Sequence, residues 1–117
     1  MNVLSLFDGI SCGQIALNRI GITYENYFAS EIDKFAIKVT MENYPKTIQL
    51  GDVTKLNTET LPKIDLLIGG SPCTNLSSAG NGKGLEGDQS KLFYDYVRIL
   101  NEVKPKYFLL ENVNIKK

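Results

Sequence analysis

Histidine is absent from the 117 residues, which excludes histidine metal sites, histidine general bases and Ser-His catalytic pairs. Any chemistry must use Cys, Asp, Glu, Lys, Arg, Tyr or Ser, and no metal is expected. Cysteine is nearly absent as well. Cys12 and Cys73 stand far apart, which suits a reducing cytoplasm better than a disulfide framework. No apolar run approaches the roughly 18 residues of a membrane span, and the N-terminus lacks a basic, apolar and small-residue secretory pattern. Charge of one sign is also missing, since 13 basic residues balance 13 acidic ones. Residues 1–60 carry five basic and seven acidic side chains, and residues 61–117 carry eight and six. Neither half has the basic stripe with which a chain grips phosphates by itself. Any nucleic-acid surface is weak or mostly outside this chain.

What is present alternates between two periodicities. Val3–Phe7, Tyr27–Ser30, Thr47–Leu50, Ile64–Ile68 and Tyr107–Leu110 read as strands. Ile64–Ile68 is a continuous apolar run of the kind buried on both faces of a parallel sheet. Between them, Gly13, Ala16, Leu17 and Ile20 recur at helical spacing, as do Ile32, Phe35, Ala36 and Val39. Leu92, Phe93, Tyr96, Val97, Leu100 and Val103 form the strongest stripe. The pattern predicts one α/β domain with a parallel sheet and right-handed crossovers. A Gly/Ser/Asn-rich loop spans roughly 69–89, and loops of that length in compact domains are more often functional than idle. The last strand would have a bare flank, an architectural sign of incompleteness.

The chemistry-bearing residues fall at strand C-termini, where open α/β sheets bind ligands. Phe7-Asp8-Gly9-Ile10-Ser11-Cys12-Gly13 lies between the first strand and first helix; it reads either as a tight turn or as a ligand-approaching loop at a helix N-terminus. Glu31 ends the second strand, as a helix cap or an acceptor for ribose hydroxyls. Asp52-Val53 follows the third, as a solvated end or an adenine contact. Together these acids describe an adenosine pocket. The missing third glycine of a dinucleotide fingerprint favours S-adenosylmethionine over NAD. Cys73, in Gly69-Gly70-Ser71-Pro72-Cys73-Thr74, is either packing or a nucleophile. Pro72 restricts the backbone there and pushes Ser71 toward extended geometry, and the polar, glycine-flanked setting favours a reactive thiolate. Glu111-Asn112-Val113 ends the fifth strand. With sheet order 3-2-1-4-5, Glu111 comes near Cys73, as a capping acid or as a proton donor to a reacting group.

These blocks, in this order and over essentially the whole chain, resemble the DNA cytosine-5 methyltransferase family. Gly-Gly-Ser-Pro-Cys, Lys83-Gly84-Leu85-Glu86-Gly87 and Lys91-Leu92-Phe93 look most like the animal de novo and phage-type enzymes. Thr74 departs from the Gln of many bacterial relatives. The resemblance implies a Rossmann-like S-adenosylmethionine-dependent methyltransferase fold, with residues 1–117 a partial catalytic domain truncated before the last strands. It implies that Cys73 attacks C6 of a flipped cytosine in duplex DNA and that Glu111 holds or protonates N3. Phe7, Asp8, Gly9, Ile10, Ser11, Gly13, Glu31, Ile32, Asp52, Val53 and Pro72 would form the cofactor site. Ser71, Pro72 and Asn112 would shape the target pocket. The arginine-bearing segment, the target-recognition region and the C-terminal helix are not among these residues. Little turnover is therefore expected without a continuation or a complementing second chain. The expected location is cytoplasmic, in a prokaryotic or phage-infected cell, or nucleoid-associated. A non-catalytic remnant or binding module, and a tRNA-directed relative, are the competing expectations.

Overall fold

The computed structural model describes residues 1–70 and 91–111, so Ser71, Pro72, Cys73 and Asn112 lie outside the described residues. Five parallel strands form one sheet in the order β3-β2-β1-β4-β5, as expected. They are β1 (Asn2–Leu6), β2 (Asn26–Ser30), β3 (Ile48–Gln49), β4 (Leu66–Gly70) and β5 (Tyr107–Glu111). Helices α1 (Cys12–Arg19), α2 (Lys34–Asn43) and α3 (Lys91–Val103) connect them. The central strands are apolar on both faces because both are covered. On one face Leu4, Leu6, Phe28 and Leu67 pack with Tyr96 and Ile99 of α3, while Val3, Tyr27 and Ala29 pack with Leu17 of α1 on the other.

Three differences from the periodicity reading have physical causes. First, β4 begins at Leu66, two residues later than expected; Ile64 is buried, but in the approach to the strand. Second, the polar stretch after β3 is not a plain loop. It holds two 3₁₀ turns, Val53–Lys55 and Thr58–Thr60, capped by Asp52 and Asn57, and α3 packs against both.

The third concerns the inward faces of α1 and α2. On α1 the buried residues are Gln14 and Leu17, with Ala16 and Ile20 exposed. On α2 the face turned inward carries Ala36, Ile37 and Thr40, while Phe35 is 83% exposed. At about 100° per residue, Ala36, Ile37 and Thr40 of α2 fall within one arc of about 100°, and Phe35 and Val39 lie outside it. A polar residue sits within each buried face. Gln14 Nε2 donates to Ser11 Oγ (2.9 Å) and Thr47 Oγ1 (2.8 Å), and its Oε1 accepts from Tyr24 OH (2.8 Å). Thr40 Oγ1 donates to the Gly9 carbonyl (3.2 Å). Buried polar groups persist only when paired in this way.

Gly69 sits opposite Leu6 in the β1–β4 ladder. A Cβ there would lie 2.9 Å from the Leu6 carbonyl oxygen and 3.1 Å from Tyr96 Cε2. The first obstacle is backbone in the central strand and cannot step aside. Gly69→Ala is expected to destabilise the fold by about 1–3 kcal/mol, in the range of overpacking. Thermal or urea melts check this, and an unchanged midpoint would contradict it.

Candidate functional site

β1 ends at Leu6, and the chain then leaves the sheet through a turn in which Phe7 (φ 55), Gly9 (φ 61) and Ser11 (φ 68) are all left-handed. That conformation is costly for the two non-glycine residues and needs anchoring. The Asp8 amide donates to the Ser30 carbonyl (3.1 Å) and the Ser11 amide to the Asp8 carbonyl (3.0 Å). The Gly9 amide donates to Glu31 Oε1 (2.8 Å).

The left-handed Phe7 breaks the strand alternation, so Phe7 stays with Leu6 on the α3 side while the Asp8 side chain meets Ser5 and Tyr27 on the other. Phe7 lines a cavity of about 450 Å³ on the α3 side, while Asp8 turns toward α1. Asp8 Oδ1 accepts from Ser5 Oγ (2.7 Å) and Tyr27 OH (3.0 Å), while its buried Oδ2 has no partner among the described residues. Burial pushes the Asp8 carboxyl above its ordinary value; the Ser5, Ser11 and Tyr27 hydrogen bonds oppose that rise and the Glu31 charge adds to it. Burial likewise raises the Tyr27 phenol.

A folded-state carboxyl pKa raised above 3.8 adds stability below that value. The contribution is lost as pH rises through the folded pKa, so ionised Asp8 opposes folding at neutral pH. Asparagine keeps the accepting oxygen and carries no charge. Asp8→Asn is expected to melt higher than the native protein at pH 7, with the gap narrowing toward pH 4. A gap that widens on acidification would show the carboxylate to be favoured instead.

The cavity is lined by Phe7, Ser30, Glu31, Ile32, Gly51, Asp52, Val53, Gly70 and Leu92, and lies in the size range of small-molecule sites. Glu31 closes the end of β2. Its Oε2 accepts from the Ile32 (3.0 Å) and Asp33 (2.9 Å) amides, in addition to the Gly9 bond on Oε1. A carboxylate has about four lone-pair sites, so three backbone amides fix its direction and leave Oε1 able to accept once more. Ile32 stands beside it, 71% exposed.

Asp52 caps the first 3₁₀ turn, its Oδ1 accepting from Thr54 N (2.9 Å) and Thr54 Oγ1 (2.8 Å). Those bonds, the backbone one first, hold its pKa below the ordinary value. It is therefore an ionised acceptor at the cavity rim, with the Val53 side chain buried below it. Of the two acids only Asp52 is a cap; the cap of α2 is Asp33, whose side chain accepts from Phe35 N and Ala36 N, and Glu31 instead ties down the backbone just before it.

Of the residues singled out in the sequence, Phe7, Glu31, Ile32, Asp52 and Val53 come together around this cavity. Gly9 is one bond behind it, Ile10 is exposed, and Ser11 is fully buried. Gly13 lies on the far face, where its lack of a side chain lets α1 approach; a Cβ would fall 2.6 Å from both Tyr27 OH and Ile68 Cδ1. Glu111 pairs in register with Gly70. Together with Asp8, Cys12 and Gly13 it lines a smaller hollow of about 250 Å³. Gly70 and Phe7 border both spaces, so the cavity and the Glu111 carboxyl meet at the strand end that leads to Pro72-Cys73. Ser30, Gly51, Gly70 and Leu92 were missed as wall residues. Signals existed for three of them: Leu92 at the head of the α3 stripe, Gly51 beside Asp52, and Gly70 in the Gly69–Thr74 motif.

Residues 1–115 match the C-5 cytosine-specific DNA methylase family. The chain belongs to that family. It is 45% identical over 115 residues to the orphan methyltransferase M.SPRI of Bacillus phage SPR, covering 97% of this chain and 26% of that protein. It is 39% identical over 113 residues to the type II methyltransferase M.FnuDI of Fusobacterium nucleatum, covering 97% of this chain and 32% of the relative. The chain thus spans about a quarter to a third of these relatives. The crystal structure of the S. pombe Dnmt2 methyltransferase superposes with a TM-score of 0.73 at 24% identity, over 97% of this chain and 34% of that one. That likeness is one of fold, and it carries the Rossmann-like methyltransferase architecture of this family member.

Proposed function

We propose that this family member binds S-adenosylmethionine in the Phe7–Glu31–Asp52 cavity and takes part in methylating C5 of cytosine in duplex DNA. One observation carries the reading: two oriented carboxylates, at the ends of adjacent strands, share one cavity with a buried Val53 and a half-buried Phe7. The residues present fit the group. Glu31 offers an acceptor to a ribose hydroxyl, ionised Asp52 offers one to the adenine amino group, and Val53, Ile32 and Phe7 offer apolar surface to the rings. When bound, the sulfonium supplies an electrophilic methyl group.

The remaining chemistry is assigned to this chain's own residues. Cys73 adds as thiolate to C6 of a cytosine turned out of the duplex, forming a C–S bond and placing electron density on C5. Glu111 holds a proton at N3, where negative charge would otherwise accumulate. C5 takes the methyl group, whose donor leaves as a neutral thioether; the C5 proton then passes to water as the C–S bond breaks and returns the Cys73 thiolate, restoring the ring. Ser71, Pro72 and Asn112 shape the base pocket; Asp8 and Ser11 act on the cofactor through the turn they anchor, and Gly13 through the close approach of α1 it allows.

On this reading residues 1–117 are the cofactor-and-nucleophile part of a catalytic domain. Target recognition is supplied by protein beyond them, in the same chain or a second one. The balanced charge supports that division, as does the share of the relatives' length that the chain spans. Phage and bacterial relatives support a cytoplasmic, DNA-associated setting.

The test is calorimetric titration with S-adenosylhomocysteine, followed by transfer of labelled methyl to duplex DNA, to tRNA and to no acceptor, using the intact protein. Binding with transfer to duplex DNA is the expected result. Transfer to tRNA alone would move the substrate to RNA, and binding without transfer in any complemented condition would leave a binding module.

A further inference from the structure

Val53, which lines the cavity together with Leu92 of α3, begins a short 3₁₀ turn, Val53–Lys55. Such turns have poor hydrogen-bond geometry and hold their shape only with outside help. At its front, Asp52 caps the turn through Thr54. At its back, the carbonyls meet a side chain from α3. Arg98 Nη2 donates to the Val53 carbonyl (3.0 Å), and Arg98 Nη1 lies 3.4 Å from the Leu56 carbonyl.

The sequence around Arg98 fixes its direction. Asp95, one turn before, lies 3.6 Å from Nε, and Glu102, one turn after, accepts from Nη1 at 3.1 Å. Glu102 Oε1 also accepts from Thr58 Oγ1 (2.9 Å), joining the second 3₁₀ turn to the same group. A guanidinium is planar, permanently charged and forked, so two carboxylates on its own helix aim it and two carbonyls across the gap are what it holds. A partly exposed ion-pair cluster of this kind adds little to global stability. Its consequence is local. Leu92 stands on the same helix about 9 Å from Arg98 at 1.5 Å per residue. One rigid element therefore carries both a lining residue, Leu92, and the tether on a second one, Val53.

We infer that Arg98 is a positioning residue for recognition of the adenine end of the cofactor. It never touches the ligand; it fixes where Asp52 and Val53 stand relative to Leu92. The inference rests on the cavity being the S-adenosylmethionine site. It goes beyond that reading by assigning base discrimination to a residue outside the cavity.

The experiment compares S-adenosylhomocysteine with S-inosylhomocysteine, in which the adenine amino group is replaced by oxygen, by calorimetry on the intact protein. The native protein should prefer the adenine compound. Arg98→Met should weaken that compound by about tenfold, the scale of one charge-assisted hydrogen bond. It should weaken the inosine compound by less than about threefold, so that the preference collapses. Arg98→Lys, which keeps the charge and can hold one carbonyl, should fall between. If Arg98→Met does not fold by thermal melting, Arg98→Lys is judged by the same loss of preference. Equal weakening of both ligands would mean a general structural role and overturn the inference, as would an unchanged preference or a native protein with none. A native protein that binds neither ligand would instead remove the cavity reading on which it rests.

Discussion

Cys73→Ser is expected to leave S-adenosylhomocysteine binding within about twofold of native while lowering methyl transfer by at least about a thousandfold. The two readouts separate because the proposed roles do. The cavity proposed for the cofactor is lined, among the described residues, by Phe7, Glu31, Asp52, Val53 and Leu92 with their neighbours, whereas the thiol is assigned to the target base. Serine is nearly isosteric with cysteine but does not ionise near neutral pH, and nothing in a histidine-free chain could act as the imidazole base that activates serine elsewhere. A thiol is a few per cent ionised at pH 7 and strongly nucleophilic in that form. Duplex DNA carrying 5-fluorocytosine supplies an independent check. Fluorine cannot leave as a cation, so the C–S bond to C6 persists and the protein migrates as a DNA adduct. Native protein should form it and Cys73→Ser should not. Turnover by the serine variant within tenfold of native would end the nucleophile assignment.

The second large effect is expected at Glu31. Its carboxylate accepts three backbone amides, from Gly9, Ile32 and Asp33, and thereby joins the turn after β1 to the start of α2. Alanine removes those bonds together with the acceptor offered to ribose. With hydrogen bonds to charged groups each contributing about 1.5–3 kcal/mol, Glu31→Ala should raise the S-adenosylhomocysteine dissociation constant by about a hundredfold. Glutamine retains one accepting oxygen but places an amide donor against backbone donors, so Glu31→Gln should lose about tenfold. Calorimetry on both variants gives the ratio. An alanine variant that binds within threefold of native would show that Glu31 serves the fold and not the ligand.

The α/β class and the convergence of Phe7, Glu31, Asp52 and Val53 were legible because each depends on local signals, whereas the sheet order came with the family resemblance. Apolar runs mark buried strands, and strand-end acids mark the sheet's carboxyl edge. What escaped was the polar interior. Gln14 and Thr40 look like surface residues to any hydrophobicity count, yet each sits in the buried face of its helix because its partner comes from elsewhere: Thr47 and Ser11 for the first, the Gly9 carbonyl for the second. Reading those faces as apolar pushed the expected stripes round to Ala16, Phe35 and Val39, which are exposed. Arg98 escaped for a related reason. It reads as an ordinary charged position on an amphipathic helix, and only the fold places Val53 and Leu56 opposite it. The side-chain direction of Asp8 also escaped, because the left-handed turn at Phe7 that sends it toward Ser5 and Tyr27 has no signal in the sequence.

That turn has a kinetic consequence. Its three left-handed residues are held by the Ser30 carbonyl, Glu31, Thr40, Ser5 and Tyr27, so the cost of ordering it is met when the chain folds and not when a ligand arrives. Cofactor encounter with this part of the site should therefore show one phase whose rate rises linearly with concentration, without a slow isomerisation of the turn. Substitutions along the cavity wall should then act on residence time, shortening the bound lifetime while leaving the association rate constant nearly untouched.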